Sequence, residues 1–421
     1  MAGKLGTFIH CGPTRYMMNI PDIATSFDLD RVRRDHHEFW GELIVRCGLA
    51  GAKTVDGILS AADFNLSSQQ SRTTRAKYLQ ERANTNGQVE WISLTEEFCQ
   101  RVIAFDREGQ DAPRLKDITC PERGDQGWTV DGITMLERHP MVLFGDGGQG
   151  KSLVALYLVG KLAKRGLRVL YCDWEFDGES HRERYWQLFG ENMPETLRYA
   201  RCDKPMTMEA DRLRRLVQTY DIQYLVCDSI VFACGAGVPA ESAEAASNYY
   251  QALRQIGVGS LNLAHTTKSA NQDDDKKKIQ ASKPFGSVFW SNGARSTWFV
   301  EADNETPGKF AVSLTQKKAN TGPLRPPVAW DIDFSEDAIT FTPSNVADND
   351  KFVKNLFVWQ RMVKELQTKG EPMTQKELSD QLGKHLTNIG KEVNKKDGRF
   401  VKVTGPDGIE RVALRTDQTT H

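Results

Sequence analysis

The 421-residue sequence contains no apolar run approaching the ~18 residues that a membrane-spanning helix requires, and its mean hydropathy is −0.51. Its opening stretch, MAGKLGTFIHCGPTRYM, lacks the long apolar core of a secretory signal. Eight cysteines, at positions 11, 47, 99, 120, 172, 202, 227 and 234, form no CxxC pair. That scatter excludes a zinc ribbon and a disulfide framework, and it fits free thiols in a reducing cytoplasm. No excess of one charge exists either: 55 basic residues face 56 acidic ones, for a net charge of −1. A uniformly basic coat protein is therefore excluded. With 39% hydrophobic and 9% aromatic residues the chain can build a folded core, so a disordered class is set aside as well.

The charge average conceals segregation. Residues 1–130 carry net −2, residues 131–350 net −4, and residues 351–421, with 14 basic and 9 acidic side chains, net +5. Texture changes at similar places, giving three expected domains: 1–130, 131–345 and 346–421. The first is expected to be mainly helical. Val32, Phe39, Leu43 and Cys47 lie on one face of a helix over Leu29–Leu49, a polar helix or connector follows from Asn65 to Gln88, and Leu94–Glu108 is a second amphipathic helix. From Pro140 the pattern is α/β. Strands are predicted at Met141–Phe144, Leu167–Cys172, Leu197–Arg201, Ile222–Cys227 and Ser260–Ala264. Helices are predicted at Ser152–Lys164, Met208–Tyr220 and Glu241–Ile256. Such alternation means a mostly parallel sheet covered on both faces. Further strands are expected at Phe310–Thr315, Val328–Asp333 and Ala338–Thr342.

Gly145-Asp146-Gly147-Gly148-Gln149-Gly150-Lys151-Ser152 matches GxxxxGK[ST] in full, with Leu153 next on the helix that follows. Glycines let backbone N–H groups close around phosphates, Lys151 reaches the β/γ oxygens, and the Ser152 hydroxyl ligates Mg²⁺. The apolar strand Ile222–Cys227 ends in Asp228, about 80 residues after that loop, where a carboxylate holds Mg²⁺ through water. Ser229 follows, so no tandem acid supplies a hydrolytic base there. The base is expected after the strand that follows the P-loop helix, at Glu175, with Asp173 as the competitor and Asp177 nearby.

Together these residues resemble a RecA-type P-loop ATPase, in the branch of RepA-like and DnaB-like hexameric helicases, over about residues 135–345. The resemblance implies ATP and Mg²⁺ as cofactors, Glu175 as catalytic base, and His265 in Asn262-Leu-Ala-His265 as the strand-end sensor of the γ-phosphate. It implies a DNA-facing loop over Ser269–Lys283, with Lys276, Lys277, Lys278 and Lys283 as contacts; a merely solvated loop is the alternative. Relatives often carry Lys-x-Arg-x-Gly-Pro to reach a neighbour's ATP. Here the segment reads Lys318-Ala-Asn320-Thr-Gly-Pro323, without the Arg. Either Arg295 takes that role with Lys318, or the lysines Lys317 and Lys318 suffice, or activation in trans is weak.

After the linker Ser344–Asp350, a helix over Phe352–Gln367, a capping box at Thr374 and Glu377, a third helix over Lys384–Asn394, and strands Phe400–Thr404 and Ile409–Leu414 around Gly-Pro-Asp-Gly give the winged-helix order. Lys384, His385, Asn388, Lys391 and Lys395 are candidate DNA contacts on the third helix, with Arg399, Lys402 and Arg411 on the wing; a protein-interaction module is the alternative. The expected function is a DNA-dependent ATPase, a helicase-like replication motor of a phage or mobile element. It would act in the (host) cytoplasm as a hexameric ring or filament, with single-stranded DNA in the motor, duplex at the winged helix, and a loader or primase as a further partner. A nucleotide-switched loader or regulator that does not unwind DNA is the alternative. A small-molecule kinase is disfavoured, because no Arg-rich lid segment follows the core.

Overall fold

The computed structural model describes residues 6–11, 14–84, 89–108, 112–119, 127–235, 237–266, 288–304, 308–395 and 398–415. The chain divides into two compact units, Met1–Cys120 and Pro121–His421.

The first unit corrects the expectation of a mainly helical domain. Strands β1 (Thr7–His10), β2 (Tyr16–Ile20), β3 (Thr25–Asp35), β4 (Glu38–Cys47) and β5 (Ile58–Asn65) form an antiparallel sheet in sequence order. Helices α1 (Gln69–Ala83) and α2 (Trp91–Glu108) follow, so Leu29–Leu49 is part of a hairpin and not a helix. The cause is legible in β4. Phe39, Leu43 and Cys47 are four residues apart, a spacing that lies on one face of a strand as well as of a helix. Their partner on that face at position 41 is glycine, which interrupts the apolar alternation. A Cβ there would come within 2.8 Å of Leu29 Cδ1, so the close strand approach requires glycine. The hairpin turn contains neither Gly nor Pro; His36 takes positive φ (53°) instead. Phe27, Leu29, Leu43 and Val45 pack with Leu79, Trp91 and Phe98 in one core.

The second unit begins with a hairpin, β6 (Gly127–Val130) and β7 (Ile133–Leu136), and continues as α/β. In chain order come β8 (Pro140–Phe144), α3 (Lys151–Lys164), β9 (Val169–Asp173), α4 (Gly178–Phe189), β10 (Leu197–Arg201), α5 (Met206–Thr219), β11 (Tyr224–Asp228), α6 (Ile230–Cys234), α7 (Ala243–Ile256) and β12 (Gly259–Ala264). They are followed by α8 (Val288–Gly293), β13 (Ser296–Asp303), β14 (Phe310–Ala319), β15 (Val328–Phe334) and β16 (Ile339–Ser344). Neighbours in the nine-stranded sheet run β10-β9-β11-β12-β8-β13-β14-β15-β16. Strands from β10 through β13 are parallel, and the last three are antiparallel. Buried Leu156, Val159 and Leu162 of α3 cover one face, while Leu213, Tyr249 and Leu253 of α5 and α7 cover the other. Coverage on both faces explains why β9, β11 and β12 are buried at every position.

The expected helix over Phe352–Gln367 is broken into α9 (Asp350–Val353) and α10 (Val358–Lys369). Phe352 packs with Ala311, Ala329 and Val346 rather than with the helices that follow. Lys354 and Asn355 both bind the Glu301 carboxylate, at 2.7 Å each, which fixes the bend. Helices α11 (Gln375–Leu382) and α12 (Leu386–Val393) and the hairpin β17 (Phe400–Thr404) with β18 (Glu410–Leu414) complete the chain. Thr374 and Glu377 make the expected capping box. Met362, Leu366, Leu378, Ile389 and Val412 share a core of their own, and Met373 adds a bridge to Val412.

The period-two reading of the first unit is testable. Phe27 is fully buried, with its ring 5.3 Å from that of Phe98, so Phe27→Ala should destabilise by about 3–5 kcal/mol. Ser26, on the opposite strand face, should tolerate Ala within about 0.5 kcal/mol. Urea unfolding followed by tryptophan fluorescence measures both.

Candidate active site

The carboxyl ends of β8, β9, β11 and β12 open on one side of the sheet, and four sequence-expected groups meet there. The glycine loop leaves β8 and ends in α3. Gly145 lies so close to β13 that a Cβ would fall 2.5 Å from the Val300 carbonyl oxygen, and Gly150 has φ +75°; both positions require glycine. The Gln149 side chain accepts from the Ala302 N–H, and the Thr266 hydroxyl donates to Asp146, fastening the loop at two more points.

Lys151 is only 7% exposed. Its ammonium donates to the carbonyls of Gly145 (3.0 Å) and Asp146 (2.7 Å) and lies 3.5 Å from His265 Nδ1. Burial pushes its pKa down, opposed by the charges of Asp228, Glu175 and Asp146. Asp228 is buried, and burial raises its pKa; hydrogen bonds from Ser152 and from Tyr171 (2.7 Å) oppose the rise, while the Glu175 charge adds to it. A divalent cation fits this pair. Ser152 and Asp228 offer the hard oxygen ligands that Mg²⁺ takes, and a positive charge there would offset the penalty on buried Asp228. The neighbouring Ser229 also lines the cavity. Its hydroxyl is buried with no partner among the described residues, a polar group free to meet a phosphate oxygen or water.

Geometry separates the two acids that compete as base. Asp173 is fully buried. Its Oδ1 accepts from the N–H groups of Glu175 and Phe176, both at 2.9 Å, and its Oδ2 accepts from the Tyr199 hydroxyl at 2.9 Å. His181 Nε2 stands 3.4 Å from Oδ2. Burial alone would raise this carboxyl, but the bonds from His181, the two amides and Tyr199 outweigh it and hold it at about 2. Asp173 is thus committed to building the turn that carries Glu175. Glu175 itself is exposed on the cavity wall. Asp177 caps α4, accepting from the Ser180 N–H at 2.7 Å.

The cavity spans about 470 Å³ and is lined by the loop, Glu175, Asp228 and His265, and also by Arg184, Gln187, Phe310, Phe334 and Ile339. Sequence reasoning assigned none of these last five to the site, and it left α4 unassigned. The signal was present in Asp177, an N-cap residue three before Ser180, ahead of apolar Tyr185, Leu188 and Phe189.

Other candidates lie elsewhere. Arg295 donates its N–H to the Pro140 carbonyl at 2.9 Å, at the opposite end of β8 from the loop, about 13 Å away at ~3.3 Å per residue. Lys318 donates to the carbonyls of Ser291 (2.6 Å) and Ala294 (2.7 Å), closing the end of α8. Neither residue lines the cavity of its own chain. Lys276, Lys277, Lys278 and Lys283 lie outside the described residues. On α12 and its flanks Lys384, His385, Asn388, Lys391 and Lys395 are exposed, with Lys395 bound to Glu392 at 2.6 Å.

Residues 117–271 match the family model described as an AAA domain. Two solved structures are similar. A KaiC-like protein of the hyperthermophilic archaeon Pyrococcus horikoshii OT3 is 14% identical with a TM-score of 0.38, over 50% of this chain and 92% of that one. A second structure, itself the ATPase domain of a helicase, is 13% identical with a TM-score of 0.40, over 50% and 86%. No curated protein matches. The loop at the end of a central parallel strand, the strand order and the family match make residues beyond Pro121 a RecA-like P-loop ATPase fold. Among the described residues no helix is long and apolar enough to cross a membrane.

The role of Asp173 carries a pH signature. A carboxyl depressed from ~3.9 when unfolded to about 2 in the fold stabilises above pH ~3.9 and loses that contribution as pH falls through 2. Asp173→Asn should therefore destabilise by about 2–3 kcal/mol at pH 7. The gap to wild type should narrow between pH 4 and 2. Urea midpoints across that range test it.

Proposed function

We propose that the chain is an ATP-hydrolysing motor or remodeller on DNA, assembled as a ring or filament, for replication of a phage, plasmid or other mobile element. One observation carries the catalytic part: Lys151, the Ser152–Asp228 pair and the exposed Glu175 line a single cavity. Mg²⁺ on Ser152 and, through water, on Asp228 supplies charge neutralisation at the β- and γ-phosphates. Lys151 exchanges its two carbonyl partners for phosphate oxygens. Glu175 takes the proton of the attacking water as its oxygen bonds to the γ-phosphorus and the β–γ bridge breaks. His265, beside the ammonium, is placed to respond to the γ-phosphate.

Arg295 and Lys318, at the far end of the sheet from their own loop, would act on a neighbouring copy's nucleotide. DNA would meet the loop bearing Lys276, Lys277, Lys278 and Lys283 and the C-terminal module, read as a winged helix. In that module Lys395, Lys402 and Arg411 are paired with Glu392, Glu410 and Asp407. Lys384, Asn388 and Lys391 are therefore the contacts we favour. The first unit would hold a loader or primase contact.

A second reading is an ATP-switched loader without unwinding. It is favoured by one observation: the Lys318 ammonium already closes the end of α8, and Asn320 stands where relatives carry Arg, which weakens stimulation in trans. Displacement of a strand from a forked duplex separates the two, since a loader would bind DNA and ATP without it.

Glu175→Gln should lower turnover by about 10²–10⁴-fold while retaining ATP binding, and single-stranded DNA should stimulate the wild type. Phosphate release measures both, and a Glu175→Gln variant turning over at the normal rate would refute the base assignment. Replacing both Lys384 and Lys391 by Glu should weaken duplex binding and flatten its salt dependence by about two units of slope.

A further inference from the structure

The cavity that holds the glycine loop does not end at the phosphates. Beyond Lys151 and Ser152 it continues between α4 and the β15–β16 turn, where its walls are Leu153, Gln187, Phe310, Phe334 and Ile339. The Phe310 ring sits against Gly150, 3.3 Å from where a Cβ would be. It meets the Phe334 ring edge-on, with centroids 5.6 Å apart. Phe334 is 57% exposed, an unusual setting for a large aromatic ring at the shoulder of a polar cavity. Among the described residues Gln187 is the sole polar side chain of this end, and its amide donates to the Glu336 carbonyl at 3.3 Å. The Arg184 guanidinium belongs to the other end, lying 4.8 Å from the centre of the Phe176 ring beside Glu175.

We infer that this far end is the nucleoside subsite and that it holds the base by its faces alone, so that purine and pyrimidine triphosphates are accepted alike. The inference rests on the nucleotide-site reading proposed above. Discrimination between bases needs donors and acceptors aimed at the base edge. Here the walls are aromatic and aliphatic, and the one amide is tethered to backbone. An aromatic face binds any base, because every base presents a π-face. The loop fixes the phosphates, and the rings supply affinity without selection.

Direct binding by the full chain, with Mg²⁺ present, tests this. ATP, GTP, CTP, UTP and inorganic tripolyphosphate would be titrated against wild type, Phe334→Ala, Phe334→Tyr and Gln187→Ala. The four nucleotides should bind wild type within about fivefold of one another. Phe334→Ala should weaken all four about tenfold and leave tripolyphosphate unchanged, which also shows that the variant is folded. Phe334→Tyr should restore affinity, and Gln187→Ala should keep the flat profile. A preference above ~50-fold for one base, or an equal loss of tripolyphosphate binding in Phe334→Ala, would overturn the inference alone. Failure of wild type to bind tripolyphosphate and every nucleotide would overturn the nucleotide-site reading, and the subsite with it.

Discussion

A buried ammonium constrains everything around it. Lys151 sits at the mouth of a parallel sheet with two carbonyl oxygens as its near partners, and the charges of Asp228, Glu175 and Asp146 resist the fall in its pKa. The same proximity acts in reverse on the acids, since Glu175 makes Asp228 harder to ionise. In a region shielded from water such couplings are several times stronger than at a surface. The loop must therefore be held rigidly, and it is. Gln149 is bound to β13, Asp146 to Thr266, and Gly145 is pressed against Val300. A loop that drifted would separate the ammonium from its carbonyls and leave a charge unpaired.

Asp173 and Glu175 solve a related problem by division of labour. Two acids two residues apart could compete for one task. Full burial and three donated hydrogen bonds assign Asp173 to structure, and exposure on the cavity leaves Glu175 for chemistry. Trp174, between them, ties the turn down on both sides, its N–H to the Asp228 carbonyl and its indole to the Lys204 carbonyl, at 2.7 and 2.8 Å.

Much of this was legible in the sequence, for identifiable reasons. The glycine loop is a local pattern, and strands buried on both faces are continuous apolar runs, so β8, β9, β11 and β12 stood out. Phe310 and Phe334 did not, because an aromatic residue at a strand end reads as core until the topology brings it beside Gly150. The first unit misled because Gly41 occupies a core-facing position and a turn of Asp, His and Glu carries no breaker. In the C-terminal module the positive balance was correct as a count. Pairing of Lys395, Lys402 and Arg411 with nearby acids was not visible in it, since those partners are set by helix register and hairpin pairing.

Helix α4 begins within three residues of Glu175 and carries Arg184 and Gln187 along its length, with Gln187 bonded to the β15–β16 turn. At 1.5 Å per residue its twelve residues form a strut of about 18 Å that lies along the cavity from one end to the other. A rigid rod joining two places cannot report on them separately: tilting it at the Phe334 end displaces the Glu175 turn, and anchoring that turn through Asp173 steadies the far wall. The cavity thus has a single mechanical coordinate where it could have had two.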